Sequence, residues 1–182
     1  MNRLVVTSAA LAALAFAMPA TPAGAQEKGV ELGVGMLGWT NTSCSGCTSV
    51  STIGTGGMYV ASAFYLNSQL AIEPILTVSY VSGGGSHETD WGLGVGVPIY
   101  FSSTWGHKGW FVEPGATYRS LSCSGCTTED QSSLDVALGY KAPIGKEAAL
   151  RISALYDYGF KTSDIPQTNT FGLQFGLSVF LH

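Results

Sequence analysis

Thr168-Asn169-Thr170-Phe171-Gly172-Leu173-Gln174-Phe175-Gly176-Leu177-Ser178-Val179-Phe180-Leu181 repeats with a period of two. Phe171, Leu173, Phe175, Leu177, Val179 and Leu181 fall on one face, against Gly172, Gln174, Gly176 and Ser178 on the other. Only Phe180 places a large residue on the second face. That period marks a β-strand with one apolar side and one small or polar side. Strands of soluble proteins usually have about 5 to 6 residues. A tilted strand crossing a bilayer needs about 9 to 11, with lipid on one side and lumen on the other. The rest of the chain repeats the pattern, which predicts a sheet that closes on itself.

The opening of the chain sets the compartment. Arg3 gives a positive start, Leu4 to Met18 an apolar run, and Ala23-Gly24-Ala25 a small-residue cleavage site. Together these read as a secretory signal peptide over 1–25, with the barrel occupying 26–182. The apolar run is too short for a membrane helix, and Pro19 and Pro22 follow it. Removing 25 of the 182 residues leaves 157, which suits one domain. Without Arg3 there remain 7 basic and 12 acidic side chains, a formal charge of −5, so no basic footprint for nucleic acid exists. A mean hydropathy of +0.25 with 11% charged residues is apolar for a soluble protein. Yet no later stretch approaches the ~18 apolar residues of a membrane helix, so the hydrophobicity belongs to strands.

Eight segments carry the alternation: 30–40, 57–66, 70–81, 91–101, 110–120, 133–142, 149–161 and 168–181. The facing of the second is ambiguous, because Met58, Val60, Phe64 and Leu66 alternate with Tyr59, Ala61, Ala63 and Tyr65. Short turns are expected at Asn67-Ser68, Ser103 to His107 and Pro143 to Lys146. Longer polar loops are expected at Asn41 to Thr55, Ser82 to Glu88, Leu121 to Asp130 and Thr162 to Gln167. This alternation fits an all-β, eight-stranded antiparallel up-and-down transmembrane barrel, with turns periplasmic and loops outside. Charge assigns the faces, since each charged strand residue sits opposite the large apolar ones. Glu31, Glu73, Glu113, Arg119, Asp135, Lys141 and Arg151 therefore point into the lumen. An eight-stranded barrel is just filled by its own side chains, so these charges must pair as a polar network. Inward glycines leave room for Arg and aromatic side chains from across the barrel. Trp39, Tyr100, Trp105, Trp110 and Tyr140, near strand ends, read as interfacial girdles.

From Gly29 to His182 the chain resembles the small outer-membrane β-barrel family of OmpX/Ail-like proteins and the OmpA transmembrane domain. The likeness rests on the eight-strand pattern, the export signal and the closing Phe175-Gly176-Leu177-Ser178-Val179-Phe180. It implies a monomer in the bacterial outer membrane, with membrane lipid and the barrel-assembly machinery as partners. It also implies an extracellular ligand taken through the outer loops. Members of the family usually end on an aromatic residue, whereas this chain ends Phe180-Leu181-His182.

One hexapeptide occurs twice, as Ser43-Cys44-Ser45-Gly46-Cys47-Thr48 and Ser122-Cys123-Ser124-Gly125-Cys126-Thr127, and holds all four cysteines. In an eight-strand ring its two copies lie on opposite sides of the mouth. Export to an oxidising compartment makes disulfides the default, with the pairing among Cys44, Cys47, Cys123 and Cys126 left open. The competing readings are a four-thiolate metal site on convergent CxxC pairs and a redox dithiol. The redox dithiol lacks a cation or helix terminus to lower a thiol pKa. Otherwise no pattern calls for a cofactor or metal.

Some barrels of this architecture modify lipid A, which requires a His near a Ser and a carboxylate. Of His87, His107 and His182, only Ser86-His87-Glu88 offers that grouping, and the His-x-Ser-Asn strand signature of the lipid A deacylases is absent. The sequence therefore favours a non-enzymatic barrel in envelope structure or in recognition and adhesion. A lipid-modifying enzyme and a metal-binding surface barrel are the alternatives.

Overall fold

The computed structural model describes residues 30–44, 48–54, 58–67, 69–83, 86–101, 109–123, 129–144, 147–163 and 165–181. The strands are β1 (Val30–Cys44), β2 (Val50–Gly54), β3 (Met58–Tyr65), β4 (Ala71–Gly83) and β5 (Ser86–Gly96). They continue with β6 (Ile99–Tyr100), β7 (Gly109–Cys123), β8 (Glu129–Pro143), β9 (Ala148–Gly159) and β10 (Thr168–Leu181). β2 and β3 both pair β1 and share one place in the wall. β5 and β6 both pair β7 and share another. Eight wall positions result, every neighbour is antiparallel, and β10 returns to pair β1. The expected eight-stranded closed barrel is the fold.

Closure is what lipid demands, because an unpaired backbone group in hydrocarbon costs several kcal/mol. The seam runs from Val30 opposite Leu181 to Cys44 opposite Thr168, with a β-bulge between Gly35 and Leu37. Proline interrupts the wall in two places. The β3–β4 ladder skips from Ala61–Ile75 to Phe64–Ile72, where Pro74 has no N–H to give. β5 stops before Val97-Pro98, yet Val97 N–H reaches Pro114 O at 2.9 Å and Ala71 N–H reaches Pro98 O at 3.1 Å. The wall therefore stays bonded through the break. Gly109 opens β7 at φ 112°, a conformation an L side chain rarely adopts.

Strand lengths differ from the sequence reading in one systematic way. β1 runs on to Cys44, β4 and β5 to Gly83 and from Ser86, and β7 and β8 to Cys123 and from Glu129. Much of what read as outer loop is thus paired strand. Polar residues hide the period-two signal once both faces of a strand leave the lipid. Ser86-His87-Glu88 accordingly lies in β5, with His87 opposite Ser82, and not in a loop. The Asn67 turn is as expected: its side-chain Oδ1 accepts from Gln69 N–H at 2.8 Å and Leu70 N–H at 3.0 Å.

The faces sort as charge predicts. Val34, Ile72, Leu93, Leu138 and Phe175 are exposed on the outside, where lipid lies. The ambiguous second strand resolves with Ala61, Ala63 and Tyr65 buried inside and Val60 outside. One girdle assignment is corrected: Tyr100 is 1% exposed and points into the lumen, on the same parity as Gly92, Gly94 and Gly96. Trp110 and Tyr140 remain outside as an edge-to-face pair with centroids 5.3 Å apart. Trp39 packs edge-on against Phe171 at 6.1 Å. Trp105 lies outside the described residues.

Candidate functional site

The lumen holds most of the described charge. Near the turn end, Lys141 of β8 is fully buried and reaches across to Glu31 of β1, Nζ to Oε1 2.5 Å. The same ammonium donates to the Tyr100 hydroxyl at 2.6 Å, and the Tyr65 hydroxyl donates to the other oxygen of Glu31. Arg151 of β9, the direct partner of Lys141 across the β8–β9 ladder, forks between two carboxylates. Its Nη1 lies 2.7 Å from Glu73 Oε1, and its Nη2 pairs with Glu113 Oε2. Both cations flank the buried Phe111 ring, Lys141 Nζ 5.9 Å and Arg151 Cζ 4.7 Å from its centroid. Tyr100 stacks between Tyr65 and Phe111, with centroids at 6.3 and 5.7 Å. The result is a cross-lumen slab of charge and aromatic rings.

Glycine makes space for this slab, though not as expected. A Cβ on Gly96 would strike the Glu113 carboxylate, one on Gly139 the Phe111 ring, and one on Gly115 the Asp135 carboxylate. In each case the occupant comes from the adjacent strand, not from across the barrel. Strand tilt explains this, since it leans each side chain over its neighbour's backbone.

Five of the seven expected lumen residues, Glu31, Glu73, Glu113, Lys141 and Arg151, are thus brought together. Arg119 and Asp135 are not among them. Arg119 sits at the outer end of β7, with its side chain 55% exposed, and pairs with Asp90 of β5. Asp135 accepts a 3.3 Å hydrogen bond from Thr117 and has Asp157 as its partner across β8–β9. Sequence reasoning missed Tyr65, Tyr100, Phe111 and Asp90 as lumen residues. Parity would have found Tyr100, Phe111 and Asp90, each an even number of residues from an inward position of its own segment, whereas Tyr65 lies in the segment whose facing the alternation leaves ambiguous.

The cysteines stand at the opposite end. Cys44 and Cys123 are wall residues, backbone-paired to Thr168 and Glu88. Cys47, Cys126, His107 and His182 lie outside the described residues. Among the described residues no cysteine is free. Strands ~4.8 Å apart, tilted ~40°, make an eight-strand ring ~16 Å across between opposite walls. A disulfide spans at most ~7 Å between Cα atoms, so a direct Cys44–Cys123 bridge does not fit this wall. Among the described residues no group of three or more His, Cys, Asp or Glu converges for a metal ion.

A model of the outer membrane protein beta-barrel domain matches residues 8–182. The chain belongs to the outer-membrane β-barrel family. Its place is therefore the bacterial outer membrane. The barrel is similar to Neisserial surface protein A, at 15% identity over 86% of this chain and 98% of that one, with TM-score 0.57. It is also similar to Ail, the attachment invasion locus protein of Yersinia pestis, solved with the heparin analogue sucrose octasulfate. That match has 12% identity over 86% and 100% of the two chains, with TM-score 0.55. The outer membrane protein AlkL, determined in DMPC bilayers, aligns at 11% identity over 90% and 95%, with TM-score 0.52. At these identities the likeness is one of fold. No curated relative is similar enough in sequence to be matched.

Proposed function

We propose that this barrel works without catalysis, as a closed envelope protein that meets extracellular ligands through its outer strand ends and loops. The observation that carries the reading is the slab of Glu31, Lys141, Tyr100, Phe111, Arg151, Glu73 and Glu113 across the lumen. A slab so joined leaves no continuous water path, so the strands act as a scaffold and variation is free only at the ends. That Ail is named for attachment and binds a heparin analogue in its structure supports recognition as the outer function. The acidic balance of this chain points to a ligand of different charge from a polysulfate.

Two measurements test the reading. Protein reconstituted in planar bilayers gives no large stable channels, and steady channels would overturn the closed lumen. Immobilised barrel binds host-surface or bacterial-surface ligands in a screen, and exchanging the outer loops with those of another barrel abolishes the binding. On the enzyme alternative, Ser86→Ala and His87→Ala leave lipid A composition as in wild type, and a change would revive it.

Residues 1–25 are removed on export in this reading, and the mature protein is monomeric once the assembly machinery has inserted it. The cysteines form local Cys44–Cys47 and Cys123–Cys126 bridges, which the width of the barrel favours over a wall-to-wall strap. Reduction then raises the intact mass by four hydrogen atoms, two for each disulfide. Four thiols that alkylate without reduction would instead favour the thiolate metal site.

A further inference from the structure

We propose that the outer ends of β2 and β4 form a strand-addition site, which takes an extended, basic segment of a separate polypeptide. The proposal rests on the recognition reading above and names the place and the chemistry of one partner. Among the described residues β2 pairs β1 and no other strand. The β3–β4 ladder ends outward at Met58–Val78, and beyond it Ser79 to Gly83 pair β5 alone. Cα atoms of β2 and β4 stay beyond 8 Å from one another, except at most at isolated points. Paired strands lie about 4.8 Å apart, and room for an intervening strand takes two such spacings, about 9.6 Å. The wall thus has a lateral slot with a free backbone edge on each side.

The registers explain the slot. From Gly38–Gly54 to Val34–Val60, β1 moves four residues while its partner moves six, so two surplus residues divide β2 from β3. Extra residues of this kind bend a strand out of line. Asn41 Nδ2 donates to Ser51 Oγ at 2.6 Å, which holds β2 on β1. Val78, at the floor of the slot, pairs Trp91, an outward tryptophan tilted on Tyr118 at 5.9 Å as in an interfacial girdle. The free edges therefore lie above the lipid, where water satisfies them but another strand can pair with them. The connections 45–49, 84–85 and 124–128 are too short to double back as a strand. The connection 160–167 is tied on itself by Thr162 N–H to Ile165 O, 2.9 Å. The occupant therefore comes from another chain. Its outward side chains would lie beside Ile53, which is 77% exposed and favours β-branched neighbours. Its inward side chains would face the lumen mouth, where Asp90 and Asp157 outnumber Arg119, so lysine or arginine suits them. Main-chain bonds along the edges supply affinity, and the alternate side chains supply specificity.

The test uses the whole barrel refolded in detergent micelles, with folding verified by heat-modifiable gel mobility. The probe is a peptide of about ten residues that alternates valine and lysine. With peptide, amide hydrogen exchange slows within 50–54 and 79–83 and is unchanged in β9. N-methylating alternate peptide amides removes strand-pairing donors but keeps every side chain, and weakens binding by at least about tenfold. Ile53→Lys weakens binding of the parent peptide, whereas Ile144→Lys, at an exposed position of the turn end, leaves it unchanged. The proposal is overturned if the N-methylated peptide binds as well as its parent, since the attraction would then be charge alone. It is equally overturned if exchange at 50–54 and 79–83 does not slow. Protection already present in the free barrel and rising with barrel concentration would make the occupant a second copy and overturn it too. Ligands from the surface screen that are lost on loop exchange uphold the recognition reading whatever the peptide does, so the two fail separately.

Discussion

The two halves of the lumen are built on opposite terms. In the turn-side half, three carboxylates and two cations are joined into one buried network by ion pairs and tyrosine hydroxyls. In the outer half, Asp90, Asp135 and Asp157 are met among the described residues by a single ion-paired cation, Arg119, at the partly wet rim. The first half is tightly ion-paired and buried. The second is polar and acidic, with Asp135 and Asp157 half-buried. One barrel thus carries an ion-paired interior at its turn end and an acidic interior at its outer end.

The most severe way to break that contrast is Arg151→Met, which strands Glu73 and Glu113 together in the interior. Removing one partner of a buried pair typically costs about 3 to 5 kcal/mol, and here two carboxylates lose the same partner. Urea unfolding in micelles measures the loss, and an unchanged midpoint would mean water already reaches the slab. Lys141→Met comes next, at the lower end of that range, because Glu31 keeps its Tyr65 hydrogen bond. Adding Glu31→Gln to Lys141→Met recovers most of the loss, and a double-mutant cycle quantifies the coupling. Gly139→Ala is expected to cost about 1 to 3 kcal/mol by driving a methyl group into Phe111, with near-ultraviolet circular dichroism reporting the displaced ring. At the outer rim, Arg119→Ala changes stability by no more than about 1 kcal/mol, since the Arg119 side chain is 55% exposed. A larger effect there would erase the distinction between the halves.

The same contrast explains what was legible in the sequence. Where one face meets lipid, alternation is enforced by the cost of error, so 91–101 and 168–181 announce both strand and facing. Charge then assigned Glu31, Glu73, Glu113, Lys141 and Arg151 inward without any coordinates. Tyr100 was misplaced because a tyrosine near a strand end fits a girdle and a lumen equally well by type, and only counting parity from Gly96 separates them. The outer extensions of β1, β5 and β7 were hidden for a different reason. Both of their faces are polar, and polar residues in paired strands look the same as polar residues in loops. Which cation meets which carboxylate depends on register and tilt, and neither is written in the alternation of a single strand.

The seam between Val30–Cys44 and Thr168–Leu181 has a kinetic consequence. The first strand made has to wait for the last one before its free edge is covered, so no shortened version of the barrel is a stable intermediate. Contacts between chain ends close slowly, and an uncovered edge invites pairing with another chain. A ribosome stalled before Thr168 would release a product with two open edges and no soluble fold. Quality control of this protein is therefore all or nothing, decided at the fourteen residues of β10.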